Sequence, residues 1–284
     1  MDDSEIFITG ANGQLGRALK AKYPGAQSAD IDQLDITNAE SVANFDWSQI
    51  KIILNGAAYT NVDGAETAEG RVAAWNVNAV AVANLVKIAA EHDITLVHAS
   101  TDYVFDGTKD PHTEDEPFSP LGVYAQSKAA GDIAVGLASK HYILRSSWVV
   151  GDGPNFVRTM LGLGAKGRAP TVVADQVGRL TFTTELVKAI DYLLVTQAAY
   201  GTYNASNVGE PASWADITRA IFKTAGYDLA VTDTTTQEYF AGKTGIAPRP
   251  LKSTLALDKL EATGFRPNDW HEDLANYIAK EKAS

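Results

Sequence analysis

The chain contains no cysteine, which excludes disulfides, thiolate nucleophiles and the usual structural zinc sites. Any chemistry must come from oxygen and nitrogen groups. Positive charge is scarce too, with 24 Lys and Arg against 35 Asp and Glu and a net charge of -11, so a nucleic-acid groove is not expected. Long apolar runs are missing: each is broken by Asn, Asp, Gly or Lys before the ~18 residues of a membrane span, and no transmembrane helix is predicted. The opening residues, Met1-Asp2-Asp3-Ser4-Glu5, lack the positive start and apolar core of a secretory signal, so a cytoplasmic location is expected. No fixed-period repeat occurs, and residues 232–236 read as a polar surface loop.

What is present is an ordinary globular composition, 284 residues with 45% hydrophobic and 21% charged, enough for one large or two modest domains. Apolar runs at 6–9, 52–54, 94–99 and 142–150 are continuous rather than alternating, as strands buried on both faces should be. Helical patterns lie between them at 15–22 and 68–91. In the second, Val77, Val80, Ala81, Asn84, Leu85 and Ile88 recur at helical spacing. Strands alternating with helices imply a parallel sheet with right-handed crossovers. Beyond about residue 150 the texture changes to loops punctuated by Gly and Pro around helices at 214–225 and 271–282. The expected division is a dinucleotide-binding domain over 1–150 and a mainly substrate-binding domain over 151–284, with return segments near 176–184 and 201–205.

The sharpest local pattern runs Ile6-Phe7-Ile8-Thr9-Gly10-Ala11-Asn12-Gly13-Gln14-Leu15-Gly16, a strand that breaks into three glycines and then a helix. Glycine permits the tight turn and removes the Cβ that would hold backbone away from a pyrophosphate, while the helix start offers free N–H groups. The spacing is G-x-x-G-x-x-G, not the commoner G-x-G-x-x-G. About twenty residues on, Asp30, Asp32 or Asp35, with Asp30 favoured, is suited to hold adenosine ribose hydroxyls. An acid there favours NAD, whereas Arg17 suits a 2′-phosphate, so either nicotinamide dinucleotide is expected.

Tyr124 and Lys128 are one helical turn apart and share a face. A phenol is a poor acid-base group at neutral pH, and a neighbouring ammonium is expected to bring its pKa down towards working range. Thr101 ends the strand that starts near Ile94, where open α/β sheets put their active residues, and its hydroxyl could donate to a carbonyl oxygen gaining charge.

Five motifs taken together resemble the dTDP-4-dehydrorhamnose reductase family of extended short-chain dehydrogenases. They are Gly-x-x-Gly-Gln-Leu-Gly at 10–16, Asn-x-Ala-Ala-Tyr-Thr-x-Val-Asp-x-Ala-Glu at 55–66, Ser-Thr-Asp-Tyr-Val-Phe-x-Gly at 100–107, Pro-Leu-x-Val-Tyr at 120–124 and Arg-Pro-Leu at 249–251. The resemblance implies a Rossmann-type doubly wound α/β sheet with a smaller C-terminal α/β lobe, and reduction of a dTDP-4-keto sugar by NADPH or NADH. It makes Tyr124 the proton donor, gives Lys128 the nicotinamide ribose and lets Thr101 assist. Cofactor contacts are implied for Gly10, Gly13, Gln14, Leu15, Gly16, Asp30, Asp35, Ile36, Ala57, Ala58 and Thr60. Substrate contacts are implied for Thr101, Asp102, Tyr103, Trp148, Gln176 and Arg249. A magnesium requirement has no support in the sequence, and a monomer or homodimer is expected.

There are departures from the family pattern. Ala125-Gln126 stands where Gly-Lys is usual after the tyrosine, and Leu180 replaces a proline before Thr181. The rival readings are a sugar-nucleotide dehydratase or epimerase, and a non-catalytic nucleotide-binding subunit. Against a dehydratase, Tyr103 occupies the place of the glutamate that would serve elimination. Against a non-catalytic subunit, Thr101, Tyr124 and Lys128 are all kept.

Overall fold

A computed structural model describes residues 2–283. Six strands, β1 (Ile6–Thr9), β2 (Gln27–Ala29), β3 (Ile52–Asn55), β4 (Thr95–Thr101), β5 (His141–Ser146) and β6 (Gly201–Asn204), form one parallel sheet in the order β6-β5-β4-β3-β1-β2. The apolar runs are continuous because successive side chains enter opposite cores. Ile6, Ile8, Leu54, Val97 and Leu144 pack on one face with Leu186, Ile190 and Leu193. Phe7, Ile53, Leu96 and Ile143 pack on the other with Trp47, Val82, Leu85 and Ile88.

The helices that matter for the site are α1 (Gln14–Lys22), α2 (Ala68–Glu91), α3 (Val123–Val135), α4 (Thr183–Val195), α5 (Trp214–Ala225) and α6 (Trp270–Ala283). By length and composition alone α2 would pass for a membrane span, yet Ala81, Val82, Leu85, Ile88 and Ala89 are buried in the second of the two sheet cores. Its middle, Asn76–Val80, widens into a π turn. Helix α5 starts at a Ser213/Asp216 capping box and stops at Gly226, whose φ of 76° is the left-handed value that glycine supplies without strain.

Three elements differ from expectation. The run 142–150 is not one strand: the chain turns at Trp148, with φ 48°, and Val149–Val150 pairs with Thr181–Phe182 away from the main sheet. Residues Thr232–Thr234, expected as loop, pair with Thr171–Val173. Edge strand β2 lacks an apolar run because only Ala29 of its three residues is buried. Of the two segments considered as returns, Gly201–Asn204 pairs with β5, while Val177–Gly178 pairs with Ala212–Ser213 outside the six-stranded sheet. Beyond residue 150 a separate apolar core gathers Val157, Leu180, Ile217, Phe222, Trp270, Leu274 and Ile278.

From β1 the chain steps outward to β2 on one side, and β3 lies on the other. The strand order therefore reverses between β1 and β3, and a crevice opens beyond their carboxyl ends.

Candidate active site

The crevice is built by close backbone approach. Gly10 has φ 65°, and a Cβ on it would lie 2.6 Å from the Ala57 nitrogen; one on Gly16 would lie 2.1 Å from the Gly10 oxygen. Helix α1 begins at Gly13 with no side-chain cap, so its first N–H groups are available to an anion. A cavity of about 330 Å³ lies beyond the strand ends, lined among others by Gly10, Gly13, Asp30, Asp35, Ile36, Ala57 and Ala58. Apolar walls from Leu34, Tyr59 and Val77 suit a flat base. These features fit the adenosine half of a dinucleotide.

The remaining cofactor candidates have other settings. Gln14 accepts the Gly151 N–H at 2.8 Å, Leu15 packs against the first core, and Thr60 is exposed. Asp30 accepts the N–H groups of Asn12 and Ile31 at 3.0 and 2.9 Å, which fixes its carboxylate at the crevice mouth. Asp35 accepts from the Thr37 N–H and hydroxyl, and Asp32 from Gln33. Arg17, considered for a 2′-phosphate, instead pairs with Asp152 at 3.6 Å and lines a different hollow. The Asp30 cavity has no Lys or Arg in its lining, and two carboxylates, Asp30 and Asp35, stand in it.

Helix α3, which carries Tyr124 and Lys128, is held by groups from the 55–66 motif and the π turn. Glu66 accepts the N–H of Val123 at 2.9 Å, capping α3 just before Tyr124. Asn78, wholly buried in the π turn, pairs with both backbone groups of Tyr59 and donates to the Ser127 hydroxyl. Such turns aim a side chain that regular helix could not. The two helices meet at Gly131, where a Cβ would lie 2.3 Å from the Asn78 oxygen.

Thr101, Tyr124 and Lys128 converge at the carboxyl end of β4. Lys128 is buried and its ammonium donates to the Ala99 carbonyl at 2.7 Å. The Thr101 hydroxyl donates to Asp102 at 3.0 Å and accepts the Tyr103 N–H at 3.2 Å. Tyr103 meets the Tyr124 ring edge-on at 5.8 Å.

The electrostatics correct one expectation. Rather than being drawn down by Lys128, the Tyr124 phenol is pushed up, first by burial and then by the Asp102 and Asp132 carboxylates, with the Thr101 hydroxyl easing the shift. The reason is geometric, since the lysine nitrogen is turned to the strand backbone. Lys128 is itself brought down to about 8 by burial, opposed by Asp132. Burial also pushes the Asp102 carboxyl up to about 6.

Sequence reasoning missed the groups beneath the lysine. His98 on β4 receives Asn55 Nδ2 at Nδ1 (2.9 Å) and lies 3.4 Å from Lys128 Nζ through Nε2. Asn55 Oδ1 takes the Thr9 hydroxyl at 2.6 Å and the Ala57 N–H at 3.2 Å. Asp132, one turn beyond Lys128, accepts from Arg145 Nε at 3.0 Å, and Arg145 is sandwiched by Phe105 and Phe118. The available signal was a histidine and an arginine inside apolar strand runs, where buried polar groups require partners.

The substrate-side candidates are mostly engaged with one another. Trp148 stacks on Trp214 at 3.7 Å, and the indole N–H of Trp214 donates to buried Gln176. Gln176 also donates to Thr236, while Asp175 accepts from the same residue. Arg249 donates to Asp63 at 2.8 Å and to the Ala247 carbonyl. Leu180 is fully buried in the separate core beyond residue 150. Among the described residues no group of three or more His, Asp or Glu is placed to hold a metal.

Comparison with known proteins gives a consistent picture. A family described as the RmlD substrate binding domain matches residues 4–283. The chain is 37% identical to the dTDP-4-dehydrorhamnose reductase of Aggregatibacter actinomycetemcomitans, over 97% of this chain and 99% of that one. The crystal structure of a dTDP-4-dehydrorhamnose reductase from Clostridium acetobutylicum matches with TM-score 0.91 and 37% identity, covering 98% of this chain and 99% of the other. The Bacillus anthracis dTDP-4-dehydrorhamnose reductase, solved in complex with NADP, matches with TM-score 0.88 and 35% identity, covering 97% and 98%.

Proposed function

Because the chain belongs to the RmlD family of dTDP-4-dehydrorhamnose reductases, we propose that it reduces the C4 keto group of dTDP-4-dehydro-L-rhamnose to give dTDP-L-rhamnose, using NADPH or NADH. This is a step in making activated sugar for polysaccharide. The observation that carries the reading is the meeting of a phenol, an ammonium and a hydroxyl at the end of β4, beside the glycine-turn crevice.

When bound, the reduced nicotinamide supplies a hydride to the C4 carbon. Gly10, Gly13 and the open start of α1 would hold its pyrophosphate, Asp30 the adenosine ribose, and Lys128 the nicotinamide ribose. The chain's own task is to deliver a proton to the C4 oxygen. A phenol pushed up by burial and two carboxylates keeps its proton at neutral pH, which is the form a donor needs before reduction. Below about pH 8 Lys128 is an ammonium, the form that would donate to a ribose hydroxyl. Thr101 fixes the geometry through its bond to Asp102, and orientation of the ketone against the phenol supplies much of the rate.

Tyr103 stands where an elimination base would be needed, which favours reduction over dehydration. The same proposal has the enzyme acting in the cytoplasm as a monomer or homodimer, apart from nucleic acid and membrane. It is tested with Tyr124→Phe. Nucleotide affinity, read by quenching of intrinsic fluorescence, should stay near wild type, while oxidation of the reduced dinucleotide in the presence of the 4-keto sugar nucleotide falls by about 10²–10⁴-fold. Unchanged turnover overturns the assignment.

A further inference from the structure

The fully buried groups beneath Lys128 form a device that the reaction scheme does not use. Thr9, Asn55 and His98 are linked across β1, β3 and β4 by bonds of 2.6 and 2.9 Å, ending 3.4 Å from Lys128 Nζ. Asp132 faces the same ring nitrogen: its Oδ1 lies 3.9 Å from His98 Nε2, and the Ser100 hydroxyl favours its charged form without reaching full hydrogen-bond geometry. Lys128 and Asp132 are four residues apart on one helix, the spacing at which ammonium and carboxylate ordinarily pair. Here they do not: among the described residues no ion pair joins them, and the lysine takes a backbone carbonyl instead.

The tautomer of His98 follows from its neighbours. Asn55 Oδ1 is committed to the Thr9 hydroxyl and the Ala57 N–H, so its amide nitrogen faces the ring and Nδ1 accepts. Burial, and then the Lys128 charge, hold His98 well below its ordinary pKa, so the ring is neutral. Its one proton is therefore on Nε2, the nitrogen that lies 3.4 Å from the ammonium and 3.9 Å from Asp132 Oδ1. An N–H facing an ammonium repels it.

We propose that His98 is a positioning residue whose Nε2–H occupies the gap to Asp132, so that Lys128 cannot collapse into a buried ion pair and stays available to the nicotinamide ribose. The Ala57 turn and the lysine are thereby tied to one hydrogen-bonded line, since Asn55 holds both the turn and the ring. The charged or titratable groups that act on the lysine are Asp132 on α3 and His98 on β4, while Arg145 on β5 reaches this cluster through Asp132, and Tyr124 and Asp102 act on each other rather than on the lysine. Arg145 occupies the second oxygen of Asp132, which leaves Oδ1 as the trap.

This inference rests on the reading of Lys128 as the ribose-holding group. The test measures NADH affinity by fluorescence between pH 6 and 10 in the whole enzyme. His98→Ala should weaken binding at pH 7 by about tenfold, equivalent to one pKa unit of lost ammonium availability. It should also move the alkaline loss of binding, set near the lysine's about 8, to higher pH, because an ion pair with Asp132 holds the proton more firmly. His98→Gln, which returns an N–H near the Nε2 position, should recover most of the affinity, and adding Asp132→Asn to His98→Ala should restore binding rather than add to the loss. If His98→Ala weakens binding without moving the alkaline limb, and Asp132→Asn makes it worse, the histidine is only structural and the proposal fails. If Lys128→Met leaves affinity unchanged, the reading of the lysine itself fails, whatever the His98 variants do. Should His98→Ala not fold, failure of His98→Gln to hold wild-type affinity and pH dependence overturns the proposal alone.

Discussion

At the scale of single residues, Asp102 shows how the site works against stability. Its carboxyl is buried, takes the Thr101 hydroxyl on one oxygen, and is raised from 3.8 to about 6 chiefly by burial. A carboxyl raised on folding binds its proton more tightly in the folded state, so the penalty is absent below pH 3.8, grows to about pH 6 and is complete above it. The shift of about two units corresponds to about 3 kcal/mol at most. Asp102→Asn should therefore raise the thermal midpoint at pH 7.5, with the gain vanishing near pH 4, while turnover falls; calorimetry at the two pH values checks this. Thr101, Tyr124 and Lys128, which the proposed mechanism uses directly, stand out in the sequence because their spacing and strand-end position are themselves the signal. Those that act through them were not. His98, Asp132 and Arg145 belong to two strands and a helix, and only the sheet order makes them neighbours. The direction of the phenol shift was misread for a related reason, since sequence spacing puts Lys128 beside Tyr124 but says nothing of Ala99, to which the ammonium turns.

Among elements, the contact between α2 and α3 is the one most exposed to a small change. Gly131 lets α3 lie against the backbone of the π turn, and a methyl group there would come within 2.3 Å of the Asn78 backbone oxygen. Backbone cannot yield as a flexible side chain would. Gly131→Ala should cost about 1–3 kcal/mol as overpacking does, visible as a lower denaturant midpoint, and should reduce kcat more than a surface Ala substitution because Tyr124 and Lys128 ride on the displaced helix. Long periodic helices such as 68–91 and 214–225 were plain in the sequence, whereas the π turn inside the first of them was not, because one extra residue hardly disturbs a hydrophobic period. Edge strand β2 escaped notice since an edge is not buried on both faces, and the end of β5 was overextended because apolar residues continue through the turn at Trp148.

Across the whole molecule, Asp63 and Arg249 join the sheet end of the chain to its last third. The carboxylate takes Arg249 at 2.8 Å and the Ala247 N–H at 3.0 Å, and the arginine lies 4.9 Å from the Phe240 ring centroid. The pair is partly exposed, so Asp63→Asn should change stability by less than about 1 kcal/mol. Its effect should fall on the sugar nucleotide: a loosened 247–249 segment raises KM several-fold with kcat nearly kept, which steady-state kinetics at saturating dinucleotide would read. Parallel strands and their crossover helices could be foreseen from alternating patterns, but this tie spans 186 positions and no local pattern encodes it. The π turn, finally, limits how the chain can vary in length. Deleting one residue between 76 and 80 would close the wide turn into regular helix, with the turns on either side keeping their faces. The cost would fall on the Asn78 side chain, which regular helix could not aim at both Tyr59 and Ser127. Gaps and insertions should accordingly be tolerated in the loops around this helix and not within it.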